Sequence, residues 1–178
     1  PISLVSTSMS SAIDVAVIVV GLVGSAVLKQ LATVPSLSAL KVVALQNSRK
    51  TLLAAPGQHL ALDHWQAQLE SGSSPALSLE QLVSELQAIQ AKNRRHIAVV
   101  DNTSNDTVAG FYPSFLRAGF SVVTPNKKAF SGSVDLFSAM EEAKESDTRP
   151  LVYQESTVGA GLPVISTLRS EEHTSELQ

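Results

Sequence analysis

Two glycines near the start of the chain, Gly21 and Gly24, match the last two positions of the pattern G-x-G-x-x-G. Val19 stands where that pattern has its first glycine. Where such a turn joins a strand to a helix, the free N–H groups at the helix start can hold the phosphates of a dinucleotide. A tight strand-to-helix turn without any ligand needs similar glycines, so both interpretations stay open at this point.

Two adjacent cations, Arg49 and Lys50, close the segment Q-N-S-R-K at residues 46–50. Enzymes selective for NAD usually carry an acid here that holds the ribose 2′-hydroxyl, and this segment has none. A guanidinium can bind a 2′-phosphate through two hydrogen bonds, whereas a carboxylate would repel it. We therefore predict a site that prefers NADP(H), with NAD(H) as the second candidate. Two ordinary surface cations are the alternative.

Three further polar segments follow other apolar runs, at residues 101–106, 124–130 and 155–163. The first, D-N-T-S-N-D, can cap a helix or face a cofactor. In the second, T-P-N-K-K-A-F, at most one of the adjacent lysines Lys127 and Lys128 can point into a cleft. The third, E-S-T-V-G-A-G-L-P, combines one carboxylate with a glycine-rich turn. That combination suits a hard cation bound by the carboxylate and by backbone carbonyls. The alternative is a turn with an exposed acid.

The elements that would position these residues alternate between strand and helix. Ser78 and Gln81 have the spacing of a capping box, and residues 54–76 are predicted to form a loop or a variable insertion. The alternation predicts an α/β fold, a doubly wound parallel sheet with helices on both faces. Its strands would end at one common edge, where ligands bind in such folds. The predicted strands are 14–20, 41–45, 96–101, 120–124 and 150–155, and the predicted helices are 24–32, 78–92, 109–118 and 134–146.

Composition excludes several other classes of protein. The hydrophobic fraction of 44% and the net charge of −3 exclude global disorder, and the absence of a basic run argues against nucleic-acid binding. The absence of cysteine excludes disulfides and thiol chemistry and fits a cytoplasmic protein. The most apolar stretch, residues 15–28, is shorter than the roughly 20 residues that span a membrane. The four histidines lack metal-ligand spacing and are expected to be structural or incidental.

Four segments together resemble a known family. V-D-N-T-S at 100–104, A-G-F-Y at 109–112, T-P-N-K-K-A-F at 124–130 and E-S-T-V-G-A-G-L-P-V-I at 155–165 are similar to homoserine dehydrogenase in its monofunctional, fungal form. The similarity extends over residues 14–168. It implies a Rossmann-type cofactor domain joined to a dimerisation and catalytic region. It also implies reduction of aspartate 4-semialdehyde to homoserine with NADPH or NADH, on the route to threonine, methionine and isoleucine.

The resemblance further implies which residues bind the cofactor and a cation. No catalytic residue is implied in this chain, because the family's catalytic lysine and substrate-binding acids lie beyond its last residue, and the chain alone is expected to be inactive. The implied cofactor contacts, besides Arg49 and Lys50, are Val20, Gly21, Leu22, Val23, Gly24, Thr103, Ser104 and Lys127. The implied ligands of a monovalent cation, usually sodium, are the carboxylate of Glu155 and the carbonyls of Val158, Ala160 and Leu162.

Val19 is a departure from the family pattern, since a glycine is expected there. Gly21 and Gly24 still occupy the positions of closest approach to the pyrophosphate. We therefore predict that Val19→Gly strengthens dinucleotide binding by no more than about tenfold.

The two ends of the chain differ in character from the middle. Residues 1–13 are predicted to be a non-native or disordered leader, and 169–178, R-S-E-E-H-T-S-E-L-Q, an adapter-derived tail that packs on nothing. Between them, 14–155 would be the dinucleotide-binding domain and 156–168 the start of the junction to the catalytic region.

Three functions are compatible with these patterns. The first is the cofactor-binding part of a homodimeric homoserine dehydrogenase that acts on a small molecule, without nucleic-acid or membrane partners. The second is a non-catalytic dinucleotide-binding module. The third is a fusion with aspartate kinase, although the residues before Met9 show no kinase sequence. The glycine-rich segment at 155–163 favours the first, because a simple sensor needs no ion-bound junction to a catalytic region.

Overall fold

The computed structural model describes residues 12–18, 21–72, 74–159 and 162–168. Within these residues seven strands form one sheet in the order β4-β3-β2-β1-β5-β6-β7. The strands are β1 (Ile13–Ile18), β2 (Leu40–Gln46), β3 (Lys50–Leu53), β4 (Ser74–Pro75), β5 (Ile97–Asp101), β6 (Ser121–Val123) and β7 (Val152–Tyr153). The helices are α1 (Leu22–Thr33), α2 (Trp65–Ser71), α3 (Leu79–Asn93), α4 (Asp106–Gly110), α5 (Tyr112–Arg117), α6 (Lys128–Ser131) and α7 (Val134–Lys144), with 3₁₀ turns at Pro35–Leu37 and Glu155–Thr157.

The parallel sheet predicted from the sequence is confirmed for five strands. β1 pairs in parallel with β2 and β5, and β6 and β7 continue the parallel pairing outward from β5. β3 and β4 were not predicted, and both pair antiparallel at the other side of the sheet. The reason is the three-residue link between β2 and β3, which is too short for the crossover that parallel strands need. In this link the side-chain Oδ1 of Asn47 accepts hydrogen bonds from the N–H groups of Arg49 and Lys50, each 2.8 Å long.

Helices lie on both faces of the sheet, as predicted. In the central strand β1 every residue from Asp14 to Ile18 is buried, which is typical of a strand packed on both sides. Because successive side chains of a strand point to opposite faces, alternate residues of β1 join different clusters. The cluster on the α1 and α2 side contains Val15, Val17, Leu28, Val42, Leu45 and Leu69. The cluster on the α3, α5 and α7 side includes Ala16, Ile18, Leu82, Leu86, Phe115, Phe120 and Met140.

Two predicted segments differ from the structure. The helix expected at 109–118 is divided into α4 and α5 at Phe111. Pro113 explains the break, because it lacks an N–H group for the carbonyl four residues earlier and is well accommodated in the first turn of a new helix. The segment 54–76, expected to be a loop, contains α2 and β4, and the buried side chain of Leu69 anchors α2 to the sheet.

Several sequence expectations fall outside the described residues. These are the expectations for Val19, Val20 and Ala160, for most of the leader and for the tail at 169–178. β1 begins at Ile13, one residue before the predicted start of the folded domain. Among the helices described, none is long and apolar enough to cross a membrane.

The predicted capping box at the start of α3 is confirmed. Ser78 Oγ accepts from the Gln81 N–H at 3.2 Å, and Gln81 Oε1 accepts from the Ser78 N–H at 2.9 Å. Ser78→Ala is expected to lower the free energy of unfolding by about 1 kcal/mol, because it leaves a helix-terminal N–H without its partner. Urea denaturation measures the effect, with Ser84→Ala in the exposed middle of α3 as control. Equal losses in the two variants would contradict the capping role.

His96 should make stability depend on pH. It is half-buried, its Nε2 lies 2.8 Å from Ser121 Oγ, and burial lowers its pKa. As pH falls through about 6.5, the unfolded chain takes up a proton at this residue before the folded chain does, so the free energy of unfolding decreases. We expect His96→Gln to flatten this part of the profile in denaturation measured from pH 7.5 to 5.5. The same change at the exposed His59 serves as control and should leave the slope as it is.

Candidate dinucleotide-binding site

The carboxyl ends of the parallel strands form one edge of the sheet. They lie at Ile18, Gln46, Asp101, Val123 and Tyr153. Each polar or glycine-rich segment singled out in the sequence follows one of these residues. The fold therefore brings the separate segments to a common edge, where α/β folds of this kind bind ligands.

The turn between β1 and α1 leaves a helix start open to solvent. Gly21 is the N-cap of α1, and its φ of +90° and ψ of −163° lie in a region that side-chain-bearing residues rarely adopt. Apart from the chain neighbours of Gly21, no atom of the described residues lies within 4 Å of a Cβ built on it, so open space adjoins the turn. The first turn of α1 carries no acid, and its first N–H groups have no partner within the helix. This geometry suits the binding of an anion.

The next residues of α1 differ in exposure. Leu22 is 92% exposed and Val23 is 55% exposed, which is high for large apolar side chains, whereas Gly24 is buried. Val23 also lines a groove of about 610 Å³ that runs along the α1 side of the sheet. That volume lies within the range typical of small-molecule sites. The groove's other lining residues at the carboxyl edge include Asn102, Val123, Pro125, Tyr153 and Ser156.

Arg49 and Lys50 point to different surroundings. The ammonium of Lys50 donates a hydrogen bond to the main-chain carbonyl of Glu70, in the last turn of α2. Arg49 is exposed, and its guanidinium has no partner among the residues that the structure describes. The structure therefore gives no support to Lys50 as a phosphate ligand and leaves Arg49 available for that role.

The loops after β5 and β6 carry the remaining predicted contacts. The Thr103 N–H donates to Asp101 Oδ1 at 2.7 Å, and Ser104 is exposed. Lys128 forms a salt bridge with Asp106 at 3.4 Å, while the adjacent Lys127 is exposed and its ammonium is unpaired within the described part of the chain. Only Lys127 of the two lysines thus has its charge free for a ligand.

A buried polar cluster that no sequence pattern indicated lies behind these two loops. It consists of Asp101, Tyr112, Thr124 and Asn126, all of them buried. Tyr112 Oη lies 2.6 Å from Asp101 Oδ2 and 2.8 Å from Thr124 Oγ1. Burial, followed by the charge of Asp101, raises the pKa of the Tyr112 hydroxyl, which stays protonated. An acid that directly ends an apolar strand was the available signal, since a buried carboxylate needs donors close by.

The segment predicted to bind a cation has another arrangement. The carboxylate of Glu155 accepts hydrogen bonds from the Ile165 N–H at 3.1 Å and from the Ser166 N–H at 3.2 Å. The Leu162 carbonyl accepts from the Val164 N–H at 2.8 Å, and Val158 is exposed. Both carboxylate oxygens of Glu155 thus already accept N–H donors, and Ala160 lies outside the described residues, so the structure gives no support to the predicted sodium site. No group of three or more His, Asp or Glu within the described residues could hold a metal.

The sequence of this chain matches a family profile described as "Homoserine dehydrogenase, NAD binding domain" over residues 20–154. Among curated proteins it is 41% identical to homoserine dehydrogenase of Emericella nidulans over 174 residues, which is 94% of this chain and 45% of that protein. It is 38% identical to homoserine dehydrogenase of Saccharomyces cerevisiae, over 92% of this chain and 44% of the relative. The chain therefore spans less than half the length of these relatives.

Solved structures share the fold. A Candida auris protein, described as of unknown function, superposes with a TM-score of 0.82 at 37% identity, over 92% of this chain and 44% of that one. A hyperthermophilic archaeal homoserine dehydrogenase, solved in complex with NADPH, superposes with a TM-score of 0.61 at 22% identity, over 87% of this chain and 47% of its own. At that identity the archaeal structure indicates a common fold.

Proposed function

Because this chain belongs to the homoserine dehydrogenase family, we propose that it is the dinucleotide-binding part of an enzyme that reduces aspartate 4-semialdehyde to homoserine. The observation that carries the proposal is the open turn at Gly21, which places the start of α1 at the carboxyl edge of a parallel sheet. The pyrophosphate of a nicotinamide dinucleotide would accept hydrogen bonds from the N–H groups of residues 21–24. A side chain at Gly21 would project into the space that this group needs.

NADPH is the proposed cofactor, with NADH as a weaker ligand. Arg49 lies beyond the end of β2, where the adenosine ribose binds in folds of this kind, and its charge is unpaired among the described residues. A guanidinium there would bind the 2′-phosphate, and no acid in residues 46–50 opposes it. Lys50 does not belong to the proposed site, because its ammonium donates a hydrogen bond to a main-chain carbonyl of α2.

The nicotinamide half would lie near the loops after β5 and β6. Thr103 and Ser104 supply hydroxyl groups there, and Lys127 supplies an unpaired ammonium. These groups would hold and orient the ring and its ribose phosphate. When bound, the cofactor supplies the hydride for reduction of the aldehyde.

The substrate, the metabolic pathway and the oligomeric state are proposed for the complete protein, of which this chain is a part. Since this chain spans less than half of its curated relatives, catalytic groups would come from the remainder. We propose that the complete enzyme acts in the cytoplasm, as a homodimer, on the route to threonine, methionine and isoleucine. The support for this is the 38–41% identity to fungal homoserine dehydrogenases.

Two experiments test the proposal in turn. Calorimetric titration of the chain with NADPH and NADH should show that both bind and that NADPH binds more tightly. If neither cofactor binds, the proposed cofactor site is wrong.

The second experiment uses a chimera in which residues 12–168 replace the matching part of the Saccharomyces cerevisiae relative. This chimera should oxidise NADPH only when aspartate 4-semialdehyde is present. A chimera that binds NADPH but shows no turnover would favour the non-catalytic binding module instead.

A further inference from the structure

The buried cluster of Asp101, Tyr112, Thr124 and Asn126 joins the two loops assigned above to the nicotinamide half. We propose that Asp101 and Tyr112 are positioning residues that hold the loops 102–105 and 124–128 at a fixed separation for the cofactor. The inference rests on the proposed function. The new element is that these two buried side chains would affect binding of the nicotinamide half of the cofactor without contacting the cofactor.

The carboxylate of Asp101 holds both loops at once. Its Oδ1 accepts from the Thr103 N–H at 2.7 Å, within the first loop. Its Oδ2 accepts from Tyr112 Oη at 2.6 Å and from Asn126 Nδ2 at 3.2 Å, the latter in the second loop. One buried acid therefore fixes the main chain beside Ser104 and the side chain beside Lys127.

Asn126 extends this connection to the residue that carries the free charge. Its Nδ2 also lies 3.2 Å from the Asn105 carbonyl, and its Oδ1 accepts from the Lys128 N–H at 3.1 Å. The main chain on both sides of Lys127 is therefore tied to the cluster. Thr124 completes it, since its Oγ1 lies 3.0 Å from the Asp101 carbonyl and accepts from the Asn126 N–H at 2.9 Å.

A role in packing alone does not account for a carboxylate at this place. Asp101 is fully buried, and no cationic side chain pairs with it in the described part of the chain. Burial of such a charge is costly, and apolar residues of similar size often stabilise a core as well or better. Short hydrogen bonds to a charged acceptor are strong and directional, so the cluster is suited to holding loop geometry.

The test removes the Tyr112 hydroxyl and compares ligands for the two halves of the site. Tyr112→Phe is expected to weaken NADPH binding by about tenfold in calorimetry, the loss typical of one hydrogen bond to a charged group. Binding of 2′,5′-ADP, which lacks the nicotinamide half, should stay unchanged. Equal weakening of both ligands, or no weakening of NADPH binding, would overturn the proposal.

Ser121→Ala provides a matched loss of a buried hydroxyl at the amino end of β6. Ser121 Oγ accepts from the Leu151 N–H at 2.9 Å and lies 2.8 Å from His96 Nε2, and it makes no hydrogen bond to the two loops among the described residues. This variant should bind NADPH as the unaltered chain does, and a tenfold loss in it would contradict the inference. If Tyr112→Phe does not fold, Asn126→Ala is expected to show the same selective loss.

A second measurement separates this inference from the proposed function. Hydrogen–deuterium exchange without ligand should be faster in residues 102–105 and 124–128 of Tyr112→Phe, and unchanged there in Ser121→Ala. If the unaltered chain binds no NADPH, the proposed function fails, whereas faster exchange in both loops would still support the positioning role. Unchanged exchange in the loops of Tyr112→Phe would overturn that role independently.

Discussion

Replacing Arg49 by alanine is expected to weaken NADPH binding by about 1.5–3 kcal/mol, roughly ten- to a hundredfold, and to leave NADH binding nearly unchanged. The reason is that the guanidinium is exposed and unpaired among the described residues, in the turn that follows β2. The 2′-phosphate is the only group by which the two cofactors differ. Calorimetric titration of the chain with each cofactor measures both affinities under the same conditions.

The adjacent Lys50 is the matched control for this prediction. It carries the same charge, but its ammonium is bonded to the Glu70 carbonyl of α2. Lys50→Ala should therefore leave the ratio of NADPH to NADH affinity close to that of the unaltered chain. If Arg49→Ala reduces both affinities equally, or Lys50→Ala removes the preference instead, the assignment of the 2′-phosphate to Arg49 is wrong.

Gly21→Ala is expected to lower the free energy of unfolding by about 1–3 kcal/mol, because its backbone conformation is one that only glycine adopts readily. It should also weaken binding of both NADPH and NADH, at least about tenfold. The new methyl group would project into the open space beside the turn, and relief of the strain would move the N–H groups of α1. Urea denaturation and calorimetry measure the two effects.

Gly57→Ala separates strain from loss of the site. Gly57 has a φ of +84° and lies in the loop that follows β3. Apart from its chain neighbours, no atom in the described part of the chain lies within 4 Å of a Cβ built on it. The variant should lose stability as Gly21→Ala does and should keep its affinity for the cofactor. A comparable loss of affinity in Gly57→Ala would show that binding responds to general destabilisation, and the anion site at Gly21 would lose its support.

The parallel part of the fold could be predicted because its signals are local. A buried central strand reads as a continuous apolar run, and the box between Ser78 and Gln81 depends only on residues three apart. The break at Phe111 was also encoded locally, by Pro113, but the apolar pattern on either side concealed it. The hairpin of β2 and β3 was missed because a short link and four residues of strand provide little periodicity.

The candidate site, like the fold, has some features that local sequence predicts and others that depend on tertiary contacts. The residue types at the ends of the strands were sufficient to predict a dinucleotide-binding domain, and the absence of an acid beside Arg49 is the basis of the NADP(H) preference, which stays a prediction. Tertiary contacts decide which charged side chains remain available to a ligand. Lys50 donates a hydrogen bond to α2, Lys128 forms a salt bridge with Asp106, and Glu155 accepts from the N–H groups of residues 165 and 166. These partners lie 10 to 22 residues away in the chain, beyond the reach of any local pattern.

By itself, then, the sequence determined the order of the five parallel strands, the polar segments that follow them and the glycine turn, because hydrophobic periodicity and backbone preference act over a few neighbouring residues. Only the tertiary structure decided that Asp101 and Asn126 meet, 25 residues apart, behind the loops that they hold. The physical reason is that a buried carboxylate must find its donors wherever the packed strands bring them. Their identity therefore depends on the register of β5 against β6 rather than on spacing along the chain.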